Sequence, residues 1–220
     1  MAQFSCTQVD EAVLKRYLET TKVWGTIKGI VLHHTYSPRA SEYKGLATIS
    51  GIWRYHTQNK GWSDIGYHFL VGPDGSIWLG RPLARAGAHC PGANNTHIGV
   101  CIIGNFLEES LTEAAQKSAT VLYRALCHRF KLDAGDMSLH KEWRDTSCPG
   151  KLNHNDIKGF CAEATPSAWE ATFEGRQVKL VNIEGTTYMA ARDAAKLFDL
   201  ALEVDPEKHL VKFSLEGGGT

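Results

Sequence analysis

The spacing of hydrophobic and polar residues before about residue 164 predicts strands that alternate with helices. Near-continuous apolar runs at 28–35 and 98–103 are typical of buried strands, and the second run is expected in the centre of a sheet. Segments 66–71 and 76–79 flank Gly72-Pro73-Asp74-Gly75, which is a strong turn signal. We therefore predict a β-hairpin between the two long apolar runs.

The first strand of this hairpin carries two large aromatic side chains and a histidine. Successive residues of a strand point to opposite faces of the sheet. Alternation therefore places Tyr67 and Phe69 on one face, and His68 and Leu70 on the other.

Four segments have apolar residues at the spacing of amphipathic helices. They run from Val9 to Leu18, from Leu46 to His56, from Ala115 to Phe130 and from Asn153 to Cys161. Ser110-Leu111-Thr112-Glu113 has the pattern of a capping box and is expected to begin the longest helix. This succession predicts an α/β fold in which helices cover both faces of a mixed central β-sheet.

The pattern breaks at Ala164-Thr165-Pro166-Ser167, which indicates a linker. Beyond it, the segments 178–182, 186–198 and 202–213 are typical of a strand, a strand that leads into a helix, and a hairpin. We predict two domains, residues 1–164 and a small α+β domain at residues 168–220. A unit of about 50 residues is marginal alone, so the second domain is expected to pack against the first or against another copy.

Composition and charge exclude some classes of protein. Lys and Arg together number 24, as do Asp and Glu, so the formal net charge is zero and does not favour nucleic acid as a partner. The first residues have neither a basic start nor an apolar run, so no signal peptide is expected, and no stretch is apolar enough for a membrane span. Six cysteines without regular disulfide spacing favour synthesis in a reducing compartment, the cytoplasm.

Candidate chemistry lies at the end of the first buried strand and far downstream. The strand ends in His33 and His34, and a later loop carries His140 and Cys148, which are residue types that zinc prefers. Three ligands would leave a fourth position open for water, as in catalytic zinc sites. The alternative, which spacing alone does not exclude, is that the histidine pair is only a hydrogen-bonded polar strand end.

Four segments in order carry a resemblance to a known family. Residues 31–35, 61–69, 98–106 and 140–150 resemble, in sequence and separation, the zinc-dependent N-acetylmuramoyl-L-alanine amidases. That family includes phage amidase-type lysozymes and animal peptidoglycan recognition proteins. The resemblance covers about residues 24–163 and implies the amidase and peptidoglycan recognition fold. It also implies a Zn²⁺ cofactor and bacterial peptidoglycan as the partner, whose bond between N-acetylmuramic acid and L-alanine is cleaved.

The resemblance also implies site residues. His33, His140 and Cys148 match the zinc ligands, whereas His34 is disfavoured because neighbouring strand residues point to opposite faces. Tyr67 matches the tyrosine that orients the zinc water and steadies the oxyanion, although outside this family a core aromatic is the simpler interpretation. Thr146 stands where phage amidases often carry a lysine; a hydroxyl can donate a hydrogen bond but adds no charge.

Two further residues match positions that contact the muramyl peptide in relatives. These are His89 and Asn94, in a segment rich in Gly, Pro and Asn. The alternative is a polar loop held together by its own side-chain to backbone hydrogen bonds. Cys101 lies near the place of a glutamate that muropeptide-recycling relatives use, so we assign no carboxylate base.

The tail has a weaker resemblance of its own. Tyr188-Met-Ala-Ala-Arg192-Asp193 and Asp205-Pro206 resemble the repeat module named after the N-terminal domain of copper amine oxidases. With one histidine, His209, and no cysteine, the segment does not suggest copper. We expect it to assist wall binding or oligomerisation, while the oligomeric state itself is not predicted.

Three functions remain open at this point. The leading hypothesis is an endolysin that is made without a signal peptide and acts on the cell wall after release. The first rival is a non-catalytic recognition protein that binds peptidoglycan; such proteins usually lack the zinc cysteine, and Cys148 is present. The second rival is a structural zinc site, for which Cys90 and His89 are the candidates for a fourth ligand.

Overall fold

The computed structural model describes residues 3–161 in full and, beyond them, the backbone of five strands. Contacts between residues divide the chain into two units, Met1–Ala162 and Glu163–Thr220. The first unit contains every predicted site residue.

A mixed sheet of six strands forms the centre of the first unit, as predicted. In chain order these strands are β1 (Thr7–Val9), β2 (Gly29–His34), β3 (Phe69–Val71), β4 (Ile77–Leu79), β5 (His97–Ile102) and β6 (Met137–Leu139). Their order across the sheet is β1-β4-β3-β5-β2-β6. Strands β3, β5, β2 and β6 run parallel, whereas β4 pairs antiparallel with β1 and β3. The two predicted apolar runs are therefore β5 and β2, which are neighbouring interior strands of the sheet.

Helices cover both faces of this sheet, which confirms the predicted α/β architecture. They are α1 (Glu11–Thr20), α2 (Leu46–Arg54), α3 (Glu113–Phe130), α4 (His140–Trp143) and α5 (His154–Cys161), and a π-helical turn, Tyr55–Asn59, continues α2. One cluster of buried residues joins α1, α3 and α5 to side chains such as Leu32 and Phe69. A second joins α2 to Leu70 and Cys101 on the opposite face.

The opening helix begins two residues later than the apolar spacing predicts. Val9 belongs to β1, where it pairs with Ile77, and Val13 is 48% exposed. The Asp10 carboxylate accepts a hydrogen bond from the backbone N–H of Val13, so the helix begins at Glu11. Leu14 and Leu18, one turn apart, then form its buried face.

The N-cap of α3 lies two residues after the Ser110 of the predicted capping box, so that prediction is wrong. The cap is Thr112, whose hydroxyl accepts from the N–H of Ala115 and donates to the carbonyl of Pro73 at 2.6 Å. The second bond ties the helix to the hairpin turn, which explains why Thr112 is chosen over Ser110. The apolar face of α3 is buried as expected.

The predicted alternation around Tyr67 is also wrong. Phe69 packs in the cluster with α1 and α3, whereas Tyr67 packs with Leu70 in the cluster with α2. Strand β3 begins only at Phe69. Just before it, two consecutive carbonyls accept hydrogen bonds from two consecutive residues after β4. The Tyr67 carbonyl accepts from the N–H of Arg81, and the His68 carbonyl accepts from the N–H of Gly80. This local irregularity breaks the strict two-residue period.

The second unit contains two small sheets. Strands β7 (Ser167–Phe173), β8 (Arg176–Ile183) and β9 (Thr186–Met189) form one, and β10 (Leu200–Asp205) and β11 (Leu210–Leu215) form the other. The predicted strands and hairpin are thus present. The predicted linker lies mostly outside the described residues, as does the predicted helix after residue 189. The assignment of residues 168–220 as a wall-binding or oligomerisation domain stays a prediction.

Two thiols meet where α5 packs on α3. The Sγ atoms of Cys127 and Cys161 lie 3.8 Å apart, and both side chains are half-buried. Oxidation with diamide should join them and lower the mass by about two daltons. The disulfide would close a loop of 34 residues, which should stabilise the unit by about 3 to 4 kcal/mol and raise Tm. Peptide mapping and calorimetry check this; Cys127→Ser should show neither change, and a different cysteine pair would contradict it.

Candidate metal centre

The sheet register brings two histidines from distant parts of the sequence together. Strand β6 pairs in parallel with β2, and Leu139 lies opposite Leu32. The next residues, His140 and His33, therefore stand side by side at the carboxyl ends of neighbouring strands, and their ring centroids are 4.4 Å apart. His33 is 1% exposed, so it is fixed by the packed sheet around it.

Cys148 reaches the same place on a loop that is anchored at both ends. Its Sγ accepts from the N–H of His34 at 3.3 Å, and its carbonyl accepts from the N–H of Lys141 at 2.9 Å. Gly150 adopts φ +74°, and a Cβ there would lie 2.5 Å from the backbone of Phe106. The glycine thus permits the close approach that fixes the cysteine.

Ligand atoms of His33, His140 and Cys148 all lie within 4.8 Å of one another. The distance from Nδ1 of His33 to Sγ of Cys148 is 3.9 Å. Ligands of tetrahedral zinc lie roughly 3.5 Å apart, so small side-chain adjustments would complete such a site. Two imidazoles and a thiolate are also a donor set that zinc accepts, and the residues present therefore fit this metal.

Other candidate ligands lie outside this group. The Nδ1 atom of His34 accepts from the backbone N–H of Phe106, which agrees with its predicted exclusion. Within residues 3–161, the cluster that could hold a metal comprises three residues and includes neither Cys90 nor His89. The arrangement therefore offers no fourth protein ligand from this described part of the chain.

Burial sets the protonation states of the three residues. Burial and the neighbouring His89, His140 and His34 hold the pKa of His33 well below its usual value. Burial and Arg144 also lower the pKa of His140. Burial raises the pKa of Cys148 to about 12. At neutral pH the metal-free site therefore holds two neutral imidazoles and a thiol.

Metal binding should consequently release protons. The histidines are already neutral, but Cys148 must lose its proton to bind zinc. At pH 7 we expect at least one proton released per zinc, and an affinity that rises about tenfold per pH unit below the pKa of the thiol. Calorimetric titration in buffers of different ionisation enthalpy measures the number. A value near zero would show that Cys148 does not bind the metal as a thiolate.

Tyr67 lies beside His33, with ring centroids 5.2 Å apart. Burial, with smaller contributions from Cys101 and Cys148, raises the pKa of Tyr67 well above its usual value. The phenol therefore stays protonated and can donate a hydrogen bond. The preceding Gly66 has no room for a Cβ, which would lie 2.5 Å from the carbonyl oxygen of Ala88.

Thr146 is half-buried, two residues before the cysteine. Its hydroxyl oxygen accepts from the N–H of Cys148 at 3.3 Å. That bond leaves the hydroxyl proton free to donate elsewhere.

The two predicted substrate contacts lie in one loop. Oδ1 of Asn94 accepts from the backbone N–H groups of His89 and Cys90 at 2.8 and 2.9 Å, which is the self-bonded loop considered as the alternative. His89 is 7% exposed and contacts His33. Contact of either residue with substrate stays a prediction.

A cleft of about 370 Å³ opens next to Tyr67. Besides Tyr67 it is lined by Thr35, Ser37, Pro38, Thr48, Gly51, Ile52, Tyr55 and His56. The helical spacing from Leu46 to His56 predicts a buried face, and Ile49, Ile52 and Trp53 are buried accordingly. The spacing does not indicate that this segment also forms one wall of the cleft. Tyr55, which is 50% exposed on this wall, lies outside the apolar spacing, so its place in the cleft follows from the structure and not from the sequence.

Comparison with known proteins assigns these features to a family. Residues 23–151 match the N-acetylmuramoyl-L-alanine amidase family. Peptidoglycan-recognition protein SC2 of Drosophila melanogaster is 34% identical over 143 residues, which are 64% of this chain and 74% of that protein. No helix in the described part of the chain is long and apolar enough to cross a membrane.

Solved structures show the same architecture. The endolysin N-acetylmuramoyl-L-alanine amidase LysCS from Clostridium intestinale is 35% identical with a TM-score of 0.52, and the match covers 63% of this chain and 90% of that one. Peptidoglycan recognition protein LE, solved in complex with tracheal cytotoxin, a monomeric diaminopimelic acid-type peptidoglycan, is 28% identical with a TM-score of 0.51. That match covers 63% of this chain and 81% of that one.

Proposed function

The chain belongs to the N-acetylmuramoyl-L-alanine amidase family, and on this premise we propose that it hydrolyses the amide between N-acetylmuramic acid and L-alanine in bacterial peptidoglycan. The observation that carries the proposal is the cluster of His33, His140 and Cys148, with ligand atoms within 4.8 Å of one another. A cleft opens beside it at Tyr67. A binding protein needs the cleft but has no need of the three ligands.

The ligands suit a hydrolytic zinc site. When bound there, zinc would supply a water of pKa about 7 and polarise the scissile carbonyl, effects worth several kcal/mol. His33 and His140 would bind as neutral imidazoles and Cys148 as a thiolate, which leaves one net positive charge on the site. That positive charge would stabilise the negative charge that develops on the carbonyl oxygen in the transition state.

Tyr67 and Thr146 are the proposed hydrogen-bond donors. The phenol of Tyr67 stays protonated beside His33, and we assign it to orient the attacking water and steady the developing oxyanion. Thr146 has its hydroxyl proton available and would add a weaker, uncharged donor. Cys101 is a buried neutral thiol next to Tyr67 and offers no base.

We further propose that the protein acts as an endolysin, after release to the cell wall. The match to the LysCS endolysin supports this assignment. The non-catalytic recognition protein is the alternative, supported by the matches to peptidoglycan recognition proteins. The complete ligand set, including Cys148, favours the enzyme.

Mass spectrometry of digested wall tests the function. Purified peptidoglycan incubated with the zinc-loaded protein should yield stem peptides with a free L-alanine amino group, and the yield should vanish with a chelator. New reducing sugar ends would indicate a glycosidase and overturn the mechanism. Wall binding without any cleavage, in a sample with one zinc per chain, would indicate the recognition protein.

For the tail we propose a role in wall attachment that is separate from the chemistry. All the proposed site residues lie in the first unit. A chain ending at Thr165 should keep its zinc and hydrolyse soluble muropeptide at a similar rate, yet sediment severalfold less with intact walls. Loss of zinc would make the tail part of the catalytic fold, and unaltered sedimentation would contradict wall attachment.

A further inference from the structure

One buried imidazole contacts a proposed ligand without taking part in the mechanism above. We propose that His89 is a positioning residue that fixes the tautomer and orientation of His33, so that Nδ1 of His33 faces the metal. The inference rests on the metal centre of the proposed function. It concerns the protein before substrate binds, and it is therefore testable apart from wall hydrolysis.

Hydrogen bonds connect three groups in a row. Nε2 of His33 lies 3.0 Å from Nδ1 of His89, and Nε2 of His89 lies 3.2 Å from the carbonyl oxygen of His97. A carbonyl oxygen can only accept, so Nε2 of His89 must carry the proton. In a neutral imidazole the other nitrogen, Nδ1, is then an acceptor. It therefore requires a proton on Nε2 of His33, which leaves the lone pair of His33 on Nδ1.

An independent distance identifies the same atom as the metal ligand. Nδ1 of His33 is the nitrogen that lies 3.9 Å from Sγ of Cys148. The hydrogen-bonded row beginning at His97 thus selects the tautomer that the ligand cluster needs. Which nitrogen of a ligand histidine binds metal is ordinarily set by the bond that the other nitrogen makes.

The surroundings hold His89 in one position. A Cβ on Gly99 would lie 2.5 Å from the imidazole, and one on Gly87 would lie 2.4 Å from it, so two glycines make space for the ring. Oδ1 of Asn94 accepts a hydrogen bond from the backbone N–H of His89 at 2.8 Å. The ring meets His33 edge-on, with centroids 5.1 Å apart. Such packing leaves little freedom for either imidazole to rotate.

The geometry also bears on the predicted substrate contact. Both ring nitrogens of His89 are engaged within the protein, and the side chain is 7% exposed. The side chain has no free donor or acceptor to offer a muramyl peptide. A positioning role accounts for its burial behind His33 better than a place in the groove does.

Two substitutions separate positioning from simple packing. His89→Phe keeps a ring of similar shape but removes the acceptor, whereas His89→Asn keeps an acceptor near the place of Nδ1. We expect zinc affinity, measured against a competing chelator, to fall about 10- to 100-fold in His89→Phe. The loss in His89→Asn should be only a few-fold. His68→Phe is the matched control. The His68 ring is also buried and lies 5.8 Å from the ring of His89, but among the described residues its nitrogens bond to the backbone of Gly99 and Arg85 and to no proposed ligand.

A spectroscopic measurement tests the tautomer directly. In the metal-free protein, nitrogen-15 NMR should find the proton of His33 on Nε2, and His89→Phe should move part of the population to Nδ1. A proton on Nδ1 in the wild type would overturn the proposal. So would equal losses of zinc affinity in His89→Phe and His68→Phe. If the wild type binds zinc and shows the expected tautomer but cleaves no wall, the proposed function fails and this inference stands.

Discussion

Replacing Cys148 with serine is expected to abolish hydrolysis and leave the fold intact. A serine hydroxyl is a poor zinc ligand, so the site should lose its metal at ordinary concentrations. The metal contributes several kcal/mol to catalysis, and about 4 kcal/mol corresponds to roughly a thousandfold in rate. Cys148 is 9% exposed, and the hydroxyl nearly fills the space of the thiol and can still accept from the N–H of His34.

Zinc content, wall hydrolysis and thermal unfolding of the same sample measure these effects. Cys90→Ser is the matched control because Cys90 is also buried and is one of the two sequence-predicted candidates for a fourth ligand. It should retain zinc and activity. Full activity of a zinc-replete Cys148→Ser variant would show that Cys148 is not a zinc ligand. Loss of zinc in Cys90→Ser would instead support the structural-zinc hypothesis.

Much of the fold follows from periodicity alone. The apolar runs at 28–35 and 98–103 correspond to β2 and β5, two interior strands of the sheet. A strand covered on both faces must be apolar throughout, and few alternative structures produce so short and continuous a run. The long helix is equally clear, because its buried residues recur from Ala115 to Leu126, over about three turns. Short elements such as β1 carry too few residues to show a period, so Val9 fits the helical spacing of the segment that follows it.

The residues of the candidate site could be proposed from the sequence, but their geometry could not. The types and separations of His33, His140 and Cys148 matched a family, but their proximity depends on the pairing of Leu32 with Leu139, more than 100 residues apart. Long-range register is a tertiary property that local spacing does not determine. The loop from Gly87 to Asn94 has no period at all, so nothing in its sequence placed His89 behind a ligand.

Tyr67 illustrates where alternation fails. The two-residue period assumes regular strand pairing, in which only every second residue bonds to a given neighbouring strand. Here the consecutive carbonyls of Tyr67 and His68 both accept, from the N–H groups of Arg81 and Gly80. That irregularity turns Tyr67 to the same face as Leu70. The family resemblance assigned the tyrosine to the proposed zinc site, and Tyr67 does lie beside His33, whereas the strand pattern alone would have grouped it with Phe69 in the core.

Replacing Tyr67 with phenylalanine should therefore lower the turnover number about ten- to a thousandfold, the range for losing one hydrogen-bond donor to an oxyanion. Phenylalanine keeps the ring contacts with His33 and His56, at 5.2 and 5.5 Å, and removes only the hydroxyl. Because burial keeps that hydroxyl protonated, the change removes a donor and no charge. Zinc content should stay at the wild-type value.

The measurement is the turnover number on soluble muropeptide, with zinc quantified in the same sample. Tyr55→Phe is the matched control, because Tyr55 lines the same cleft and is half exposed. Its effect should be at most a few-fold, in KM more than in turnover number, if Tyr55 only contacts substrate. An unchanged rate in Tyr67→Phe would show that the Tyr67 hydroxyl does not act in catalysis and that the side chain only packs. A parallel loss of zinc would mean that the hydroxyl acts on the metal site, because a donor used only in the reaction cannot change how much metal the resting protein holds.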